Sequence, residues 1–226
     1  MRSLLFAVLG AAGSGRAALI SSWVEESSRV LVHVDEREYA IEAGIPAGQI
    51  VPWKWVNDRI GIGGEIPVGA ELFFLSNGRE SPVDFLEGLE HWLRGKPVDL
   101  GRILTVMNCS LLAANEKLKS WYDACIHFSD AVLLGSRHDV TNLWIKNLQK
   151  SYKDRSYPCH FRFIKKNRID NPGEILYPEA RRISLVFEDE EDRYDEEGNY
   201  MEEEYFQRDE AGRRVKWVPD IVNFLP

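Results

Sequence analysis

Gly10 and Gly15 are separated by four residues and followed at once by Arg16 and Ala17, inside the stretch LLFAVLGAAGSGRAAL (4–19). This lays over the pattern G-x-x-x-x-G-K-[ST]. There the backbone N–H groups of the turn and the positive end of the next helix cradle phosphate oxygens, a lysine reaches the terminal phosphates, and a hydroxyl ligates Mg²⁺. Gly10, Gly13, Ser14, Gly15 and Arg16 are therefore the candidate phosphate-binding residues. The two positions that carry most of the chemistry are changed. Arg16 keeps the charge but on a planar fork rather than a compact ammonium, and Ala17 has no hydroxyl for magnesium.

Other readings of the same stretch stay open. Arg2, the apolar run and the small residues after it also suit a secretory leader. A dinucleotide-binding turn requires G-x-G-x-x-G and an acid about 20 residues on; Asp35 is well placed, but Gly10, Gly13 and Gly15 are out of register. A tight strand-to-helix turn with no ligand is the plainest reading. Elsewhere, Cys125 with His127 and Cys159 with His160 offer zinc-type donors. Their spacing turns each pair to different sides of a helix or strand, so no metal site is expected. Ser14 with His33, or Cys109 with any of the five histidines, lacks the context of a nucleophile.

These residues sit in a chain of 226 residues, enough for one sizeable core, with net charge −8. An acidic balance argues against a general nucleic-acid surface, which needs a basic face. No apolar run approaches the ~20 residues that span a bilayer, so no membrane contact is expected. Three widely spaced cysteines with no CxxC imply neither a disulfide framework nor a zinc knuckle, which suits a reducing cytoplasm.

The elements that must position the glycine turn follow from periodicity. Apolar runs at 29–35 and 71–78 read as buried strands, the first covered on both faces, and those at 4–9, 101–110, 131–136 and 158–166 as further strands. Helical spacing appears at 16–26, 81–96, 111–128 and 140–153, with Ser81 and Pro82 as a start signal for the second. Residues 36–69 read as a loop-rich insertion with a strand near Trp53–Val56, its tryptophans anchoring it to the core. The alternation predicts an α/β fold, a three-layer sandwich with a mainly parallel sheet, over 1–170. Residues 171–226 read as an acidic appendage. Two Asp-x-x-Gly units, at Asp195 and Asp209, suggest β-hairpins there rather than pure disorder, for contact with a partner or another copy of the chain.

In order and spacing, four segments over residues 4–150 resemble the CobW-type P-loop GTPases, the group that includes HypB and UreG. The first is the turn at Gly10–Ala17. LSNGRESP (75–82) resembles the family's E-T-[ST]-G-L-A-D-P, with Gly78 and Pro82 matched as switch-like positions and Leu75 standing on the Glu. LTVMNCS resembles the strand ending V-V-D, with Asn108 on the Asp. AVLLGSRHDV resembles the guanine-reading V-L-N-K-x-D-L, with Arg137 and Asp139 as the implied base-binding pair; Asp139 reads equally well as the cap of a helix starting at Val140. The family's Cys-x-Cys-Cys metal site has no counterpart, since residues 36–75 hold no cysteine.

The resemblance thus implies a P-loop fold with its magnesium ligands and acids replaced, and no catalytic residue of its own. Weakly held GTP or GDP is the only cofactor implied, with magnesium in doubt. The expected role is nucleotide or anion binding, or protein interaction; a divergent hydrolase and a dinucleotide enzyme are the alternatives. Their discriminator is Arg16: in a pure scaffold it should be paired with one of the chain's own carboxylates.

Overall fold

The computed structural model describes residues 2–24, 29–38, 45–177 and 179–225. At its centre lies β1 (Ser3–Leu9), hydrogen-bonded in parallel to β5 (Glu71–Leu75) on one side and to β6 (Val98–Asn108) on the other. Its unbroken apolar sequence is a consequence of that position. Successive strand residues face opposite sides, so Leu5, Ala7 and Leu9 enter one core while Phe6 and Val8 enter the other.

The sheet has eight strands in the order β4-β3-β2-β5-β1-β6-β7-β8, with β2 (Val30–Asp35), β3 (Ile50–Val56), β4 (Arg59–Ile62), β7 (Ala131–Gly135) and β8 (His160–Phe163). All pairs are parallel except β3 with β4. One face is covered by α1 (Arg16–Val24), through Leu19, Ile20 and Trp23, and by α6 (Gly173–Leu176). The other is covered by α2 (Pro82–Leu93), α4 (Lys119–His127) and α5 (Asn142–Lys153). This is the expected three-layer α/β sandwich. The distinctive addition is the strap of residues 179–225, which runs over the second face and buries Tyr205 and Ile221 in the same core as α4.

Several boundaries differ from the periodicity reading, each for a local reason. The insertion at 36–69 extends the sheet: β3 pairs with β2, and β4 folds back on β3 through Asn57 and Asp58, both at positive φ (48° and 58°). That is the geometry of a two-residue hairpin turn, which Asn and Asp tolerate. The single helix expected over 111–128 is broken. Asn108 caps a short α3 (Cys109–Ala114), Asn115 leaves helical geometry (φ −139°, ψ 85°), and the chain restarts as α4 after a 3-10 turn. Asn competes with the helix through its own side chain, here donating to the Leu111 carbonyl at 3.4 Å.

In the strap, each Asp-x-x-Gly unit closes a single antiparallel bridge, Tyr194 with Tyr200 and Arg208 with Arg214, without a longer ladder. The two turns share one construction. Asp195 Oδ1 accepts the N–H groups of Glu197 and Asn199, and Asp209 Oδ1 those of Ala211 and Arg213. The strap is fixed at its start by Arg182, whose guanidinium meets Asp130 at 3.0 Å with both side chains buried, and by His127 with Glu203 at 2.9 Å. Its basic residues bind α2: Arg208 and Arg214 each reach Glu87 at 2.7 Å, and Arg214 reaches Asp84 at 2.5 Å.

Candidate functional site

The glycine turn leaves the end of β1 at the middle of the sheet. Gly10 lies against β6: a Cβ there would fall 2.5 Å from the Val106 carbonyl oxygen and 2.8 Å from Ser14 Oγ. Gly13 and Gly15 take φ of 76° and 86°, which glycine adopts without strain. Ser14 N–H donates to the Ala11 carbonyl at 3.0 Å, and Ala12 N–H donates to the Gly78 carbonyl at 3.0 Å. Two amides of the turn are thus engaged within the chain.

Gly78 is held tightly in place. A Cβ on it would sit 2.4 Å from the Ala12 nitrogen and 2.6 Å from Arg16 Nη2, so a larger residue would force the two loops to shift. Pro82 opens α2 as its first residue, after Ser81, whose hydroxyl makes no cap hydrogen bond.

Arg16 is the hinge of the arrangement. Its Nη2 donates to Glu38 Oε2 at 3.1 Å, with both side chains only 5% exposed, and its Nη1 donates to the Ser76 carbonyl. Glu38 was not identifiable from sequence; it lies in the segment after β2 where no periodicity marks it. Beside this pair, Ser14 Oγ and Glu38 Oε1 are buried without a hydrogen-bond partner among the described residues.

Asp35, the candidate ribose acid, is committed elsewhere. Oδ1 accepts from the Arg37 backbone N–H and from its Nε, both at 2.9 Å; Oδ2 accepts from Arg37 Nη2 at 2.5 Å and Asn77 Nδ2 at 3.1 Å. Burial pushes its pKa up, but the Arg37 and Asn77 hydrogen bonds outweigh that and hold it below the ordinary carboxylate range. Arg37 continues to Glu80 at 2.5 Å, and its hydrogen bonds to Asp35 and then Glu80 raise the guanidinium pKa. His33, two positions back along β2, stacks on Phe74 with both ring nitrogens unpartnered, and burial lowers its pKa to about 4.

The proposed base-reading pair lies at the end of β7. Arg137 stacks over the Phe163 ring at 4.5 Å and donates to the Ile164 carbonyl at 3.4 Å. Asp139 is 71% exposed, its carboxylate 2.8 Å from His138 and its N–H donating to Ser110 Oγ at 3.4 Å. It does not cap the next helix. Thr141 does so, accepting the Trp144 N–H at 3.1 Å, which moves the helix start to Asn142. Asn108, at the position of the family's Asp, spends its side-chain oxygen on the Leu111 N–H at 3.0 Å. The structure therefore brings Gly10, Ser14, Arg16 and Gly78 into one contact group. No contact joins Arg137 or Asp139 to Arg16 among the described residues.

The thiols are inert. Cys109 and Cys159 have pKa values pushed up to about 12 by burial, and Cys125 is raised well above its usual value for the same reason. All three are free, and the His127 ring, two residues beyond Cys125, is paired with Glu203. Among the described residues no three His, Cys, Asp or Glu side chains gather as metal ligands. No helix among them is long and apolar enough to cross a membrane.

A mainly parallel sheet with a glycine-rich turn between its central strand and the first helix is an α/β arrangement that P-loop and dinucleotide-binding folds share. The chain is similar in structure to the Zn(II)-bound YjiA GTPase from E. coli, with TM-score 0.50 and 13% identity, over 78% of this chain and 61% of that one. A Zn(II)-bound triple mutant of YjiA gives TM-score 0.50, 12% identity and the same coverage. The chain thus spans about three fifths of the length of these proteins. No protein-family model matches the chain, and no curated protein matches it. At these identities the likeness shows an α/β fold shared with the YjiA GTPase.

Proposed function

We propose that this chain is a P-loop-fold binding module that has given up nucleotide hydrolysis and works through contact with another protein in the cytoplasm. The observation that carries the reading is the buried Arg16–Glu38 pair: the one cation of the glycine turn is neutralised by the chain's own carboxylate. The residues present do not suit a magnesium nucleotide. Ala17 offers no hydroxyl, Asn108 is occupied in capping α3, and Gly78 fills the space beside Arg16. A dinucleotide enzyme is disfavoured because every oxygen of Asp35 is already hydrogen-bonded, leaving no acceptor for a ribose hydroxyl.

A weakly held guanine nucleotide is the second reading, favoured by the unpartnered, buried Ser14 hydroxyl in the turn. Thermal unfolding with GTP, GDP, ATP and NADH, each with magnesium and with EDTA, separates the two. A ligand that binds only the folded chain raises its melting temperature. No shift at about 1 mM is the result expected of the closed site. A guanine-specific shift abolished by Asp139→Ala would establish the second reading, and its loss in EDTA would return the chain to the hydrolases.

A further inference from the structure

A small cavity of about 170 Å³ opens where the strap crosses the end of α4. Its floor is polar and enclosed: His127 and Ser184 are 8% and 2% exposed, and the Glu203 side chain 8%. These groups are joined to one another. Glu203 Oε1 and Oε2 lie 2.9 and 3.1 Å from His127 Nε2, Oε1 accepts the Tyr205 N–H at 3.2 Å, and the Ser184 N–H donates to the His127 carbonyl at 3.3 Å. The walls are largely apolar, and Ile183 and Met201 there keep 37% and 40% of their surface open to water.

The bonding of the floor fixes what it offers. Burial raises the Glu203 pKa, but hydrogen bonds from His127 and Ser184 outweigh it, so the carboxylate is ionised and only accepts. His127 Nε2 is therefore the donor, and Nδ1 is the ring atom left for a ligand. A ligand must bring one polar hydrogen to that atom and an apolar body to Ile183 and Met201. The side chains that anchor protein contacts are chiefly Trp, Tyr and Arg. A guanidinium finds no free carboxylate here, because Glu203 is held by His127, and Glu204 at the rim by Lys216 at 2.6 Å. Size decides between the other two: a cavity of about 150 Å³ admits a benzene ring, and an indole is larger. A phenol hydroxyl both donates and accepts, so it suits Nδ1 with or without a proton, and its ring gains from the Met201 thioether.

We propose that this cavity receives the tyrosine side chain of a partner protein, its hydroxyl on His127 Nδ1 and its ring against Ile183 and Met201. The inference rests on the reading of the chain as a protein-binding module but not on closure of the glycine turn. The nucleotide titration and the tyrosine titration therefore fail independently, and failure of the second leaves protein contact elsewhere on the chain standing.

The test is the ¹H–¹⁵N NMR spectrum of the full chain titrated with p-cresol, with toluene, and with end-blocked Gly-Gly-Tyr-Gly-Gly and Gly-Gly-Phe-Gly-Gly. p-Cresol and the tyrosine peptide should shift the amides of residues 183–186 and 200–204. Each should bind about tenfold tighter than its counterpart without the hydroxyl. Met201→Ala with Ile183→Ala should weaken p-cresol about fivefold or more, whereas Val215→Ala, exposed outside the cavity, should change it less than about twofold. His127→Phe with Glu203→Leu removes both members of the pair and should make p-cresol and toluene bind alike. Circular dichroism checks that each variant folds, and the wall variants keep the test decisive if that pair does not. Equal binding of p-cresol and toluene to the natural chain, or no shift at about 5 mM, would overturn the proposal. So would p-cresol binding without the tyrosine peptide, which makes the cavity a small-molecule site. A concentration-dependent dimer lost in Tyr177→Phe would overturn it too, by placing the chain's own exposed tyrosine there.

Discussion

Arg16 and Glu38 form a 3.1 Å ion pair buried beside the glycine turn that follows the central strand. Two ions taken out of water gain from each other only while both are present, and removing one leaves an uncompensated buried charge. Arg16→Ala should therefore cost about 3–5 kcal/mol, whereas Arg16→Met with Glu38→Leu should recover most of it. Urea unfolding midpoints measure this; additive losses in the double variant would show that the two residues do not act as a pair.

Glu38 also competes with any external anion for Arg16. In Glu38→Gln the competition loses its charge, so phosphate or GDP should raise the melting temperature of the variant above a chloride control of equal ionic strength. At a ligand concentration about 100 times Kd the gain is ~2.7 kcal/mol. The wild-type chain should show no such gain. If the variant responds to neither anion, Glu38 is not what closes the turn.

His33 sets a pH dependence whose sign follows from its burial. Its folded pKa is lowered from 6.5 to about 4, so as pH falls through that window the unfolded chain binds the proton and the folded chain does not. The stability present above pH 6.5 is then lost by roughly 3 kcal/mol on reaching pH 4. His33→Phe, which keeps a ring against Phe74, should remove this part of the decline. Urea midpoints of both proteins across the window check it, and parallel curves would refute it.

The strap holds to the domain through Arg214 and Tyr205. Arg214 joins Asp84, Glu87 and the Tyr205 carbonyl, and the Tyr205 ring packs on Phe128 with centroids 5.7 Å apart. Arg214→Ala should cost about 1–3 kcal/mol and speed proteolytic cleavage between 188 and 225. Tyr205→Ala should cost about 3–5 kcal/mol by opening a cavity on α4. Unchanged cleavage rates in both would mean the strap is held elsewhere.

Gly78→Ala tests the closeness of the two loops, since its Cβ would meet the Ala12 nitrogen at 2.4 Å. Backbone cannot retreat cheaply, and a loss of roughly 2 kcal/mol or more is expected. Gly63→Ala, with nothing within 4 Å of its Cβ, should stay within about 0.5 kcal/mol and serves as the control.

What the sequence determined by itself is what local spacing encodes. A strand buried on both faces must be apolar at every position, as in Leu5 to Leu9, and a helix covering it repeats at three and four, as in Phe85, Leu86, Leu89 and Trp92. From those periods the order of strands and helices follows, and with the spacing of Gly10 and Gly15, so does the parallel sheet with a glycine turn at its centre. Tertiary structure decided the rest. Residues 36–69 read as a loop-rich insertion with one strand; that this strand pairs with β2 and folds back through Asn57 and Asp58 depends on where the chain goes after Asp35. Glu38 reaches Arg16 across 22 residues, Gly78 meets Ala12 from just past the neighbouring strand β5, and Arg214 reaches Glu87 across 127. A charge or a missing Cβ carries no period, so its partner exists only once the fold has brought the two segments together.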